Sequence, residues 1–215
     1  MTLAKLGAAA LLAGSLSAAA LVVFTAPERA DAAPEPTRLA ADLKPASAFT
    51  DIKSRDLRAV ALFEEASKVL QSPRCMNCHP AGDRPTQTDR MIPHQPLVVR
   101  GEAGMGAPSG LACTTCHHEA NFDAARVPGN PKWQLAPIEM AWQGRSLGQI
   151  CAQIKDPKLN GGKTMAELVH HMAEDELVGW GWNPGAGRTP APGTQKQFGE
   201  LIKAWVDAGA ACPKG

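Results

Sequence analysis

The chain has 215 residues, of which 44% are hydrophobic, and a formal net charge of +1 at pH 7. This length allows one or two domains. The near-neutral charge argues against a nucleic-acid partner, which requires a strongly basic face, and gives no support for long-range electrostatic steering of a charged ligand.

The first 32 residues have the layout of a secretory signal peptide. Lys5 precedes an uncharged stretch of 21 residues, 6–26, that is rich in Ala, Leu and Val, and the segment ends in the letters ADA at 30–32. This order predicts cleavage after Ala32 and export to the periplasm. The alternative is an uncleaved N-terminal anchor facing the periplasm, because about 20 apolar residues can span a bilayer.

Residues 33–50 are rich in Pro and Ala and predict a flexible leader without a core of its own. The remaining residues, 51–215, are predicted to form one domain. Its clearest element is a helix over 51–70, where apolar residues recur at spacings of three and four with charged residues between them. Pro73 is expected to mark the end of that helix.

The rest of the chain predicts further helices, long loops and little or no sheet. Residues 80–137 are dense in Gly and Pro and show no sustained period. Helices are predicted over 146–154, after the capping-box pattern Thr164-x-x-Glu167, and over about 194–208. The predicted fold class is therefore mainly α and loop-rich, and such a chain needs another source of core.

Two short stretches share the pattern C-x-x-C-H, "RCMNCH" at 74–79 and "CTTCHH" at 113–118. The pattern is typical of c-type haem attachment. In one helical turn the two cysteines and the histidine share a face, so both thiols reach the porphyrin edge while the histidine binds iron. We therefore predict a small dihaem cytochrome c, with two haem c groups attached at Cys75, Cys78, Cys113 and Cys116 and with His79 and His117 as proximal iron ligands.

Three other uses of paired cysteines fit less well. The gap of 34 residues between Cys78 and Cys113 is longer than the 15–20 residues common in zinc sites, and zinc gives no reason for a histidine after both pairs. A thioredoxin-like pair would need a βαβ pattern, which is missing. Structural disulfides suit an exported chain, but bacterial attachment of haem c also takes place outside the cytoplasm.

Two cysteines remain outside these motifs, Cys151 and Cys212. In an oxidising compartment a disulfide is their simplest use. It would close a loop of about 60 residues and contribute about 3–4 kcal/mol of stability by restricting the unfolded chain.

The second axial ligand decides between electron transfer, which suits an iron with two protein ligands, and chemistry at an open iron position. His94, in "MIPHQP", lies 15 residues after His79 in a predicted loop. We expect it to reach the open face of the first haem. The alternative is an ordinary surface histidine.

The helix after Thr164 offers another distal ligand. At 100° per residue, Met172 lies near the centre of its apolar face, His171 at the edge and His170 almost opposite. His171 is therefore the preferred ligand and His170 is expected to face solvent. Met172 is an alternative ligand or a core residue.

A third candidate, His118, follows a proximal histidine directly. Small tetrahaem cytochromes c contain CxxCHH units whose extra histidine binds a neighbouring haem, and "CTTCHH" resembles them. His118 is thus an alternative ligand for the first haem, ranked behind His94. Arginines to pair with haem propionates and tryptophans to pack on porphyrins are plentiful, namely Arg74, Arg84, Arg100, Arg145, Arg188, Trp133, Trp142, Trp180, Trp182 and Trp205.

The segments "RCMNCHPAGDRPTQ", "PHQPLVVRG", "VPGNPKWQLAP", "GWNPGAGR" and "AWVDAGAACP" extend the similarity beyond the haem motifs. Across residues 51–213 the chain resembles a family of exported dihaem c-type cytochromes that are often labelled as a subunit of isoquinoline 1-oxidoreductase. The resemblance implies an electron-accepting role beside a molybdenum hydroxylase, and histidines at the positions of His94 and His171. The chain itself carries no molybdopterin or iron–sulfur pattern.

The predicted function is periplasmic electron transfer between an oxidoreductase or a membrane complex and another carrier. The partner would be a redox protein, such as a molybdenum hydroxylase or a membrane respiratory complex. One alternative is a dihaem enzyme with one open haem, of the peroxidase or thiol-oxidising kind. Another is a haem-based sensor, or a haem subunit of a larger complex.

Overall fold

The computed structural model describes residues 42–101, 104, 106 and 111–215. These residues are mostly helical, with a single two-stranded hairpin among them, which confirms the prediction of a mainly α chain. The predicted signal peptide and residues 33–41 of the predicted leader lie outside this part of the chain. Within it, every helix is too short or too polar to cross a membrane.

Helix α1 spans Arg55–Leu70 and corresponds to the helix predicted over 51–70. It begins four residues later than predicted because the Ser54 hydroxyl caps it by accepting a hydrogen bond from the Leu57 N–H. Helix α2, Pro73–Met76, follows after two residues. Pro73 therefore begins a new helix, where its missing N–H costs no hydrogen bond. The first C-x-x-C-H motif starts in this helix at Cys75 and continues past its end to His79.

Three longer helices form the C-terminal half: α3 (Leu147–Lys155), α4 (Met165–Glu174) and α6 (Gln195–Asp207). Each begins with a reciprocal capping box, in which two side chains satisfy backbone N–H groups that the helix leaves unpaired. The boxes pair Ser146 with Gln149, Thr164 with Glu167, and Thr194 with Gln197. Helix α5, Glu176–Gly179, is one turn long, and the Asp175 side chain caps it.

The core lies where α6 packs between α1 and α4. Trp205 is fully buried there, with its ring 5.0 Å from that of Phe63. The predicted disulfide is present at the edge of this core, because Cys151 of α3 is bonded to Cys212 with their Cα atoms 5.7 Å apart. It ties the C-terminus to α3.

The leader prediction is wrong for residues 42–50. Leu43 and Phe49 are buried in the core, and the Lys44 N–H donates a hydrogen bond to Glu65 of α1 at 2.8 Å. A 3₁₀ turn over Ala46–Phe49 gives the segment regular structure. Two apolar side chains are enough to dock this Pro- and Ala-rich stretch, which its composition concealed.

The hairpin pairs β1 (Thr86–Gln87) with β2 (Ile92–Pro93) and leads directly into His94. Asp89, in its turn, accepts hydrogen bonds from Arg74 at 2.5 Å and from the Thr189 hydroxyl at 2.6 Å. These bonds fix the hairpin between α2 and the segment before α6, so the loop that carries His94 has a defined position.

Candidate haem sites

Both C-x-x-C-H motifs form the predicted helical turn. The His79 N–H donates to the Cys75 carbonyl at 3.1 Å, and the His117 N–H donates to the Cys113 carbonyl at 2.9 Å. These are i to i+4 bonds, so each histidine shares a face with its cysteines. None of the four motif cysteines forms a disulfide.

The two motif histidines have the same hydrogen-bond arrangement. His79 Nδ1 donates to the Met140 carbonyl, and His117 Nδ1 donates to the Pro128 carbonyl, each at 2.7 Å. A carbonyl can only accept, so the proton sits on Nδ1 and the Nε2 lone pair is left for a metal. Gly129 allows the backbone around Ala120 to approach closely, because a Cβ there would lie 2.2 Å from the Ala120 carbonyl oxygen.

Each motif histidine also lies flat on a tryptophan. The His79 and Trp142 rings are 3.5 Å apart at 6°, and the His117 and Trp133 rings are 4.6 Å apart at 15°. A hydrogen bond at one edge and a stacked indole at one face together fix the imidazole plane. The proximal half of each site is therefore ordered by the protein itself.

The first motif opens on a cavity of about 620 Å³. Cys75, Cys78 and His79 line one side, and α4 contributes Leu168, His171 and Met172. Its volume lies within the usual range of cofactor pockets. The structure thus brings His171, predicted as a distal ligand, to the same cavity as His79, with the alternative Met172 beside it.

Polar groups of this cavity include three N–H donors without a partner among the described residues: Arg74 Nε, Arg100 Nε and Trp142 Nε1. The two arginines are only 4% and 6% exposed. Arg100 Nε makes no hydrogen bond, although an Asp83 carboxylate oxygen lies 3.5 Å away. Buried, unpaired donors are rare in folded proteins, and this set suits the two carboxylates of a haem in a mainly apolar cavity.

The same enclosure sets the charge state of the first motif. Desolvation raises the pKa of Cys75 to about 12 and that of Cys78 to about 11. Desolvation, with a smaller effect of His171, lowers the pKa of His79 to about 4, against the bond to Met140. His79 is therefore neutral at pH 7, which is the form that binds a metal.

The second motif faces His94. The centres of the His94 and His117 rings are 6.0 Å apart and their planes are tilted by 60°. A metal–imidazole bond is about 2 Å long, which puts two rings on opposite sides of one ion about 6 Å apart between centres. A tilt of 60° would be compatible with both rings binding one ion, because an imidazole can rotate about its nitrogen–metal bond.

His94 is held in the same manner as the motif histidines. Its Nδ1 lies 3.0 Å from the Pro96 carbonyl, and Arg84 donates to the His94 carbonyl at 2.6 Å. We expected His94 at the first haem, but the structure places it beside His117. No sequence pattern indicates that His94 lies beside His117, since its position depends on how the hairpin packs.

His171 has a carboxylate in place of a carbonyl. Its Nδ1 lies 3.5 Å from Asp175 Oδ2, and Asp175 Oδ1 caps α5. The other histidine of this helix, His170, is 71% exposed, as the helical geometry predicted. His118 is also exposed.

Only some of the arginines and tryptophans proposed to contact haem line the first cavity. Trp180 joins Trp142, Arg74 and Arg100 at the first cavity. Trp182 and Trp205 instead donate their N–H groups to backbone carbonyls of Pro192 and Ala211. The groups that orient the four imidazoles were not predicted from the sequence, because no local pattern marks them. These groups are the carbonyls of Met140, Pro128 and Pro96 and the carboxylate of Asp175.

A scan of protein-family models, a search of curated proteins and a search of solved structures find no match to this chain. Among residues 42–101, 104, 106 and 111–215, no three His, Cys, Asp or Glu side chains are grouped to hold a metal ion. A haem iron takes at most two protein ligands, so a haem site would not form such a group.

Proposed function

We propose that this chain is an exported electron-transfer protein with two covalently attached c-type haems. The observation that carries the proposal is a repeated one. His79, His94, His117 and His171 each have Nδ1 next to a backbone or carboxylate oxygen, which leaves Nε2 for iron. His170 has the same arrangement with Glu174, but its side chain is 71% exposed and does not line the cavity of His79. Four such imidazoles supply two axial ligands for each of two haems.

The proposed ligand pairs are His79 with His171 and His117 with His94. The first pair lines one cavity, and the second has its ring centres 6.0 Å apart, a separation at which both imidazoles could bind one iron. Cys75 and Cys78 would bond the first haem, and Cys113 and Cys116 the second. Haem supplies one-electron redox chemistry when bound, and the protein sets its potential through ligands, burial and hydrogen bonds.

The protein's own residues favour transfer over catalysis. Two ligands on each iron leave no open position for substrate or peroxide.

Arg74 and Arg100 provide buried positive charge at the first site, where burial lowers the pKa of Arg74 against the opposing effect of Asp89. The periplasmic location, the redox-protein partner and membership of the dihaem family remain part of this proposal.

The proposal is tested on protein expressed with its signal segment in a bacterium that matures c-type cytochromes. Mass spectrometry should find two haems and a new N-terminus at Ala33. The ferric optical spectrum should be low-spin and unchanged by cyanide or peroxide. A high-spin component that binds peroxide would instead support an enzyme with one open haem.

Single substitutions test the distal ligands. His94→Ala and His171→Ala should each convert one haem to a high-spin form. His170→Ala is the matched control, because His170 is the exposed neighbour on the same helix and should leave both haems low-spin. If neither ligand variant creates a high-spin haem, the distal assignment is wrong.

A further inference from the structure

Two tryptophans connect the two candidate haem sites. Trp133 stacks on His117 at 4.6 Å, and its edge meets Trp180 in a T-shaped contact at 4.9 Å between ring centres. Trp180 lines the first cavity, with the Arg74 guanidinium carbon 5.9 Å from its ring centre. A continuous series of aromatic contacts therefore runs from the second proximal histidine to the wall of the first site.

The chain on both sides of this contact is shared by the two sites. Trp133 precedes Gln134 and Leu135, which line the first cavity. The Leu135 N–H donates to the Gly104 carbonyl at 2.9 Å, and Cys113 Sγ lies 3.8 Å from the same oxygen. The two attachment motifs are thus neighbours, with Trp133 at the border between them.

Asn121 holds the link in place. Its Oδ1 accepts hydrogen bonds from Trp180 Nε1 at 2.9 Å and from the Gly129 N–H at 3.0 Å, while its Nδ2 donates to the Asn183 carbonyl at 2.9 Å. Gly129 follows Pro128, whose carbonyl orients His117. One amide side chain therefore joins the support of His117 to the segment that carries Trp180.

We infer that Trp133 and Trp180 are positioning residues that fix the imidazole plane of His117 and couple the second haem site to the first. This inference rests on the proposed function. Stacking sets the rotation of the ring about its bond to a metal, and the edge contact transmits the position of the cavity wall to that ring. The indoles remain chemically unchanged, since their role is geometric.

The test compares Trp133→Leu with Trp133→Phe, Trp180→Phe and Trp182→Phe in the full-length dihaem protein. Trp182→Phe is the matched control, because Trp182 lies two residues from Trp180 but packs on Phe198 and donates to Pro192. Electron paramagnetic resonance reports the ligand-plane orientation at each ferric haem. A redox titration reports the potentials of both haems.

Trp133→Leu should shift the g-values of the haem bound at Cys113 and Cys116. It should also change the redox equilibrium between the haems about tenfold, which is about 59 mV for a one-electron couple. Trp133→Phe should recover most of the wild-type signal, because a phenyl ring can still stack. Trp180→Phe should give a smaller shift, and Trp182→Phe none.

Unchanged g-values and potentials in Trp133→Leu would overturn the inference, and so would an equal shift in Trp182→Phe. If Trp133→Leu does not fold, Trp180→Phe serves as the test, because it keeps a ring but removes the hydrogen bond to Asn121. Wild-type g-values and potentials in Trp180→Phe would then overturn the inference. Failure of the proposed function is distinguished beforehand, because the wild-type protein would then lack two low-spin haems.

Discussion

The sites around His79 and His117 share one motif but are built from different parts of the fold. The first opens on a cavity walled by helices α2 and α4 and by the core residue Phe198. The second lies in 3₁₀ turns and loops, where Cys116 is exposed and His94 comes from a hairpin. The C-x-x-C-H turn thus supplies only the proximal half of each candidate site, while tertiary structure supplies the distal half.

Removing the first attachment site should have the largest effect on stability. With Cys75 and Cys78 both changed to serine, the 620 Å³ cavity would remain unfilled beside the core. We expect the free energy of unfolding to fall by several kcal/mol, comparable with a typical net stability of about 5–15 kcal/mol. Thermal unfolding followed by far-ultraviolet circular dichroism measures this loss.

The matched variant changes Cys113 and Cys116 to serine. It should lose the second haem but retain a helical melt close to that of the wild type, because the core is formed by the contacts of α6 with α1 and α4. Equal melting temperatures for the two double variants would contradict the difference between the sites.

Removing the disulfide should have the next largest effect. Changing Cys151 and Cys212 to serine releases a loop of 61 residues, and we expect a loss of about 2–4 kcal/mol in urea unfolding. The spectra of both haems should be unchanged below the transition, since neither cysteine lines the first cavity. A changed haem spectrum in folded protein would show that the disulfide supports a site directly.

A smaller effect is expected from Asp175→Asn, which distinguishes the first site from the second. The Asp175 carboxylate beside His171 Nδ1 favours the more positive, ferric state of an iron bound by His171. Its removal should raise the potential of the first haem by on the order of 60 mV, about tenfold for a one-electron couple. Glu174→Gln is the control, because Glu174 has the same spacing to the exposed His170. A shift in the second haem would contradict the ligand pairing.

The smallest effect concerns the docked segment 42–50. Burial alone would raise the pKa of Glu65, but hydrogen bonds from Lys68 and Lys44 outweigh it and lower the pKa from its ordinary value of 4.5. Because the folded-state pKa is the lower one, this stabilisation is present at pH 7 and is lost progressively as the pH falls from 4.5 through the folded-state pKa. Glu65→Gln should cost less than about 1 kcal/mol at pH 7 and a smaller amount at pH 3.

Chemical unfolding at both pH values checks this prediction. The control is Glu64→Gln, since Glu64 is the exposed neighbour on α1. An equal loss of stability at pH 3 and pH 7 would show that the charge of Glu65 is not the cause.

Local chemistry made part of this structure predictable. The capping box at Thr164 and the turn in each C-x-x-C-H motif depend on residues three or four positions apart, so the sequence displays them. The exposure of His170 followed from helical geometry for the same reason. The pairing of Cys151 with Cys212 needed only the export prediction and the count of cysteines.

The remaining features depend on contacts that no local pattern marks. His94 meets His117 because the hairpin is held through Asp89, which bonds to Arg74 and to Thr189, 100 residues further along the chain. The Met140 carbonyl that orients His79 is a backbone group, and any residue at that position would provide one. The burial of Leu43 and Phe49 could not be predicted either, because the Pro- and Ala-rich composition around them is typical of a flexible segment.

The most direct test of the ligand pairing uses protein with a single haem. In a variant whose Cys113 and Cys116 are serine, only the haem at Cys75 and Cys78 remains, and its ferric spin state can be read alone. We predict that adding His171→Ala makes this haem high-spin, whereas adding His94→Ala leaves it low-spin. A low-spin haem in the variant with His171→Ala, or a high-spin haem in the variant with His94→Ala, would contradict this ligand pairing.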